Sequence, residues 1–139
     1  MATSSGEERE ITVVAAVIRD AQGRVLLTQR PVDRHMGGLW EFPGGKIDDG
    51  EAPAEALVRE LDEELGVEIR VEKPLTFAVH EEPGLRILLL FYSASILDGT
   101  PQGHEGQAVE WVPANDLMSY PSPPADAELI RQLAAGFNT

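Results

Sequence analysis

The sequence predicts an α/β domain in which a mixed β-sheet is flanked by two or three helices. Three observations point there. Runs of β-branched and aliphatic residues recur, as in Ile11 to Ile18 and Arg86 to Ser95. Between them, residues 53–65 place apolar side chains at helical spacing. A last helical stretch, Ala125 to Phe137, follows a proline-rich connector and closes the chain. With 139 residues, one domain over 10–137 is expected, large enough for a core without disulfide or metal staples.

In order along the chain, residues 1–9 are polar and read as a disordered leader. Ile11 to Ile18 is a continuous apolar run, a strand buried on both faces. Asp20-Ala21-Gln22-Gly23 is a turn, and Arg24 to Arg30 is expected as the partner strand of a hairpin. Pro31 to Gly38 is a loop, and Leu39 to Phe42 a short strand running into Pro43-Gly44-Gly45. The helix should start at Pro53, a favoured first position. That leaves Ala52 as an N-cap with no acceptor, and Glu55 can supply only half of a capping box. Ala54, Leu57, Val58, Leu61 and Leu65 form the expected buried stripe, and Gly66 ends the helix in a left-handed conformation. Val67 to His80 and Arg86 to Ser95 are strands joined by the turn Glu81-Glu82-Pro83-Gly84, the second strand being central. Leu97 to Gly106 is a loop, Gln107 to Val112 a strand, Pro113 to Met118 a short helix, and Pro121 to Pro124 a stiff connector.

Eleven basic residues against twenty-four acidic ones give a formal charge of −13. Such a chain is a poor general binder of DNA or RNA, whose affinity comes from neutralised phosphates. A small polyphosphate is still accessible to it if divalent cations bridge the like charges. No cysteine is present, which removes disulfides, thiolate metal sites and thiol nucleophiles, and is compatible with the cytoplasm. The first ten residues lack the apolar core of a signal peptide, and no apolar run is long enough to span a membrane.

The chemistry points to the helix at 53–65. Glu60, Glu63 and Glu64 stand at i, i+3 and i+4 and share a face. Three carboxylates so placed repel one another, and in the second half of a helix they also oppose its dipole. A divalent cation turns that repulsion into attraction, and hard oxygen donors suit Mg²⁺ or Mn²⁺. Arg59 precedes this set and is expected to pair with Glu51 or another carboxylate. From Gly45 to Val67 the spacing is G-x5-E-x7-R-E-U-x-E-E-x-G-U, where U is a bulky aliphatic. Its seven fixed identities (Gly45, Glu51, Arg59, Glu60, Glu63, Glu64, Gly66) would arise by chance on the order of once in 10⁸ positions.

This spacing is the signature of the Nudix hydrolase family, and the chain resembles that family without a mismatch. The resemblance implies an α/β/α sandwich around a mixed sheet. It extends over most of residues 11–132. Gln29-Arg30, His35-Met36, Leu39-Trp40-Glu41-Phe42-Pro43-Gly44-Gly45-Lys46, Glu105-Gly106-Gln107, Glu110-Trp111 and Pro123-Pro124-Ala125 look like the MutT-type nucleoside triphosphate pyrophosphohydrolases. Carried over residue by residue, the resemblance implies a metal set of Gly44 (through its carbonyl), Glu60, Glu63, Glu64 and Glu105. The general base is Glu60, with Glu105 its competitor, and Glu64 belongs to the same catalytic group. Arg30 and Lys46 match residues that hold the triphosphate, His35 lies beside the base pocket, and Phe42 lines it. Glu41 reads as an edge-strand carboxylate, and His80 and His104 as solvent-facing.

The implied reaction releases a monophosphate and pyrophosphate with Mg²⁺, Mn²⁺ being the alternative cation. The implied role is clearing 8-oxo-dGTP from the nucleotide pool, a form of mutation avoidance. The base reader is the weak point. Enzymes of this type tuned to 8-oxoguanine carry asparagine after Pro-Pro-Ala, whereas this chain has Asp126. An ionised aspartate only accepts hydrogen bonds. It would favour the amino group of cytosine or adenine unless an apolar pocket keeps it protonated. A CTP or modified (d)CTP/dATP pyrophosphohydrolase therefore remains open, as does an N-cap role for Asp126 and a silent nucleotide-binding regulator. Pro83, sixteen residues past the box, is also found in ADP-ribose hydrolases, although a turn explains it without further help. The expected partner is a small nucleotide, with no nucleic-acid polymer and no membrane, and the chain is expected to be a monomer or weak dimer.

Overall fold

Strand β1 (Arg9–Ile18) is the axis of the domain. It runs parallel to β6 (Leu85–Asp98) along its full length, from Arg9 opposite Leu85 to Ile18 opposite Ala94. On its other edge, Val13, Val14 and Ala15 pair antiparallel with β4 (Gly44–Lys46). β5 (Glu68–Glu82) pairs antiparallel with the far side of β6, giving a mixed sheet of order β4-β1-β6-β5. The computed structural model describes residues 8–136. Most of the expected leader therefore lies outside the described residues, although Arg9 already belongs to β1.

The strands after β1 depart from expectation. β2 (Val25–Gln29) does not pair with β1 as a hairpin. It sits in a second, antiparallel sheet between β3 (Trp40–Glu41) and β7 (Ala108–Val112). A lone bridge, Arg19 to Val25, is the contact that remains of the expected hairpin. The reason is that both edges of β1 are already occupied by β4 and β6. The turn itself forms as expected, with the Asp20 carboxylate accepting from the backbone N–H groups of Gln22 and Arg24.

Alternation along β1 separates two cores. Val14, Ala16 and Ile18 face α1 (Pro53–Leu65), while Ala15 and Val17 face α2 (Pro124–Ala134) with Leu129, Ile130 and Leu133. The result is an α/β/α sandwich. A 3₁₀ helix at Ala114–Ser119 stands where a short helix was expected. The end of the predicted closing helix, Phe137, lies outside the described residues.

Helix α1 is rolled relative to the predicted stripe. Leu57, Leu61 and Leu65 are buried, but Ala54 and Val58 face solvent and Ala56 is buried instead. The cause is a second inward row at i, i+4 and i+8: Ala56, Glu60 and Glu64. Glu63 is left at the rim, about half exposed. The helix has no side-chain cap at Ala52 and no basic residue in its last turn. Only Glu55 contributes at its start, accepting the Ala52 N–H at 2.9 Å. These deficits cost about 1 kcal/mol for the cap and a further ~0.3–1 kcal/mol for acidic charge at the wrong end. Three buried leucines at roughly 2 kcal/mol each outweigh both.

Replacing Ala52 with threonine, which can accept from the N3 backbone, should therefore raise stability by roughly 1 kcal/mol. Chemical denaturation of the two proteins measures this, and an unchanged midpoint would mean that Ala52 is not the cap.

Candidate active site

The inward row of α1 meets the turn that carries Gly44 and Gly45. A Cβ on Gly45 would run into the Glu60 carboxylate, so glycine there makes room for the acid. Arg59 anchors this corner. Its guanidinium grips Glu51 through two bonds of 2.7 and 3.0 Å, and donates to the Lys46 carbonyl at 3.0 Å. It also reaches Glu60 at 3.1 Å and Glu63 at 3.3 Å. The Glu51 hydrogen bonds, more than any other partner, hold Arg59 charged. Arg59 is thus an orienting residue, as its position before the carboxylates predicts.

Glu64 is the most confined of the set. Burial pushes its carboxyl well above the ordinary range, and the hydrogen-bonded neighbour Glu60 and the charges of Glu105 and Glu41 push it further. Two carboxyls can share a hydrogen bond only through a proton. A divalent cation can take the place of that proton, so the donor set fits such an ion. Among the described residues no three or more acidic or histidine side chains already stand so that they could hold a metal ion together. Glu60 and Glu63 are both tied to Arg59, and Glu105 is exposed.

Glu105 reaches this corner on the loop after β6. The loop docks on the C-terminal carbonyls of α1, which have no partner within the helix. His104 donates its backbone N–H to Glu64 at 2.9 Å, and Gln102 does so to Leu65 at 3.1 Å. Gly66, in the left-handed conformation at φ 70°, sits against the His104 ring with no room for a side chain. Gln107 completes the fastening: its Oε1 accepts the Glu105 N–H at 2.8 Å, and its amide reaches the Glu64 carbonyl at 3.4 Å. The sequence places Gln107 in a motif but does not disclose this positioning role.

Two cavities open from this corner. One, of about 300 Å³, is lined by Glu64, Glu105, Gln107, Arg34 and the β2 end. The other, of about 330 Å³, is lined by Phe42, Lys46, Met36, Asp126 and apolar residues of β1 and β6. Arg30, His35, Glu41 and Gly44 line both and form the waist between them. Arg30 pairs with Glu41 at 3.0 Å and donates to the His35 carbonyl at 3.2 Å. Glu41 is therefore more than an edge-strand carboxylate, since it bears electrostatically on both Glu64 and Asp126. Phe42 is core and cavity wall together, packed edge-on against Phe91 with centroids 5.7 Å apart.

Asp126 is not an N-cap. α2 starts at Pro124 with Pro123 at the cap, and Asp126 lies in the first turn, 4% exposed. Burial first, then the Glu41 charge, pushes its carboxyl up to about 7, against the opposing pull of the Phe42 backbone N–H and Arg30. His80, expected in solvent, is instead mostly covered and bonded to Glu82 at 2.9 Å, because β5 runs past residue 80 to the end of the hairpin. His35 approaches the same Glu82 oxygen at 3.8 Å. The site residues Gly44, Glu60, Glu64, Glu105, Arg30 and His35 are thus gathered around one corner. Lys46, Phe42 and Asp126 belong to the second cavity, and Glu63 stands at the rim.

Comparison with known proteins adds to this picture. Residues 9–133 match the family described as NUDIX domain. The chain is 42% identical over 125 residues to CTP pyrophosphohydrolase of Escherichia coli strain K12, covering 90% of this chain and 92% of the relative. It is 35% identical over 125 residues to 8-oxo-dGTP diphosphatase of the same strain, covering 90% and 97%. The solution structure of the E. coli ORF135 protein superposes with a TM-score of 0.78 at 41% identity, covering 94% of this chain and 92% of that one.

The state of Asp126 has a measurable consequence. A carboxyl raised from 3.8 to about 7 binds its proton more tightly when folded. It costs nothing below pH 4, and the cost grows as pH rises to about 7 and then levels off. Asp126→Asn should therefore match the parent in stability near pH 4 and exceed it above pH 8 by on the order of 1–4 kcal/mol. A stability difference that does not grow with pH would show that Asp126 is buried as a charge.

Proposed function

Because this chain belongs to the Nudix hydrolase family, we propose that it hydrolyses a nucleoside triphosphate to the monophosphate and pyrophosphate. The family assignment makes it an enzyme acting on phosphorus-containing acid anhydrides. Nudix hydrolases generally require a divalent metal, and Mg²⁺ is the ion proposed here, with Mn²⁺ a substitute. The residues offered to it are Glu60, Glu63, Glu64, Glu105 and the Gly44 carbonyl. When bound, such an ion neutralises phosphate charge and makes an attached water more acidic.

The chain's own groups do the rest. Glu60 takes the proton of the attacking water, and Glu105 is the other candidate for that task. The water oxygen bonds to a phosphorus flanking the α–β bridge, and the P–O bond from that phosphorus to the bridging oxygen breaks. The group on the far side departs with the electron pair, giving monophosphate and pyrophosphate. Arg30 at the waist and Lys46 in the second cavity oppose the negative charge that develops. His35 and Phe42 line the space for the nucleoside, and Asp126 reads the base. Residues 10–137 form the catalytic domain, acting in the cytoplasm on the free nucleotide pool as a monomer or weak dimer. Among the described residues no helix is long and apolar enough to cross a membrane.

The substrate reading rests on Asp126, buried against Phe42 and pushed up to about 7. Near neutral pH it has access to both charge states. Protonated, it both donates and accepts, which suits the O6 and N7–H edge of 8-oxoguanine. This supports 8-oxo-dGTP as the substrate, with nucleotide-pool sanitation as the role. Ionised, it only accepts, which suits the amino group of cytosine or adenine. That second reading, a CTP or modified (d)CTP/dATP pyrophosphohydrolase, is favoured by the 42% identity to a CTP pyrophosphohydrolase.

Pyrophosphate release with Mg²⁺ from 8-oxo-dGTP, dGTP, CTP, dCTP and dATP tests both. Turnover of 8-oxo-dGTP relative to CTP should fall as pH rises from 6 to 8.5, and Asp126→Asn should abolish that trend while favouring 8-oxo-dGTP. No turnover of any substrate would instead leave a nucleotide-binding regulator. In the same assay Glu64→Gln should lower kcat on the order of 10²-fold by removing a metal ligand. It should also raise the melting temperature in chelator, because the crowded carboxyl is gone. Near-normal activity would put the metal elsewhere.

A further inference from the structure

The cavity on the glutamate side holds a cation that the proposed reaction leaves unused. Arg34 lines it together with Glu64, Glu105 and Gly44. Its backbone is fixed within the loop at 31–38, its N–H bonded to the Pro31 carbonyl at 3.1 Å and its carbonyl accepting from Gly37 at 2.8 Å. Gln29 braces the same loop, donating to the Gly38 carbonyl at 3.0 Å. The guanidinium itself makes no ion pair with any described residue. That separates it from the other site arginines. Arg59 is committed to Glu51, and Arg30 to Glu41.

Direction along the site follows from the shared waist. A nucleotide whose base lies against Asp126 must pass its phosphates between Arg30, His35 and Gly44 to reach the glutamates. The β- and γ-phosphates, farthest from the base, then lie on the Arg34 side. A free guanidinium offers planar paired donors that match phosphate oxygens. We propose that Arg34 binds the β- and γ-phosphates, the part of the substrate that is released as pyrophosphate. This rests on the triphosphate reading of the reaction given above.

Calorimetric titration with pyrophosphate in Mg²⁺ tests the assignment without turnover. Arg34→Ala should bind pyrophosphate about 10-fold or more weakly, as expected for loss of a charged hydrogen-bonded pair. Arg34→Lys should fall between that variant and the parent, and CMP, which lacks these two phosphates, should bind all three alike. In steady state kcat/KM for the triphosphate should drop in parallel. Equal pyrophosphate binding by parent and Arg34→Ala, equal weakening for CMP, or no pyrophosphate binding by the parent would each overturn the assignment. A parent that binds pyrophosphate through Arg34 yet releases none from any triphosphate would overturn the reaction and leave the site standing.

Discussion

Carboxylates held beside one another away from water are the constraint on which this domain turns. At an effective dielectric near 20, two unit charges 4 Å apart repel by about 4 kcal/mol. A domain's whole margin of stability is only about 5–15 kcal/mol. Glu64 sits in the field of Glu60, of Glu41 and, from an exposed position, of Glu105. Burial and these neighbours push the Glu64 carboxyl toward its neutral form, and Arg59 is committed to the neighbouring carboxylates. Arg59 cannot neutralise Glu64 as well, because its donors are taken by Glu51, Glu60, Glu63 and the Lys46 carbonyl. The deficit of positive charge is thus local and built in, beyond what the net charge alone implies.

The fold concentrates that deficit by geometry. β1 has a partner on each edge and a helix on each face, so it cannot yield. β4 hangs on it by three residue pairs, and Gly44 and Gly45 are two of its three residues. α1 then presses its Glu60 row against that turn, held by leucines whose burial offsets a weak start and an unfavourable end. The Glu105 loop is fastened to the same helix terminus through backbone groups. Acidic side chains from two distant stretches are therefore brought together by packing and backbone bonds, with Arg59 holding the Glu60 and Glu63 carboxylates on the helix side.

Much of this was legible because it is local. Helix limits at Pro53 and Gly66, the shared face of the glutamates and the Arg59 pairing all follow from spacing within some twenty residues. The roll of α1 was not legible, because Leu57, Leu61 and Leu65 are compatible with either flank being covered. Only the position of the Gly44-Gly45 turn decides for Ala56 over Ala54 and Val58. Division of the strands between two sheets was hidden for a similar reason. A turn as well formed as Asp20–Gly23 says nothing about whether the next strand finds an edge still free. Asp126 and His80 were ambiguous in sequence because a first-turn carboxylate or a strand histidine reads the same whether covered or bare.

One side chain joins the two halves of the site. Glu41 raises the carboxyls of both Glu64 and Asp126, and Arg30 is its counterion. While the Arg30–Glu41 pair is closed, Asp126 feels a partly neutralised neighbour. Were Arg30 drawn away, Glu41 would keep its full charge at the waist and Asp126 would lose the Arg30 charge that opposes its rise. The Asp126 carboxyl would then be pushed further toward its neutral form, the form able to donate as well as accept. The two cavities are thus coupled electrostatically through a single ion pair at the waist.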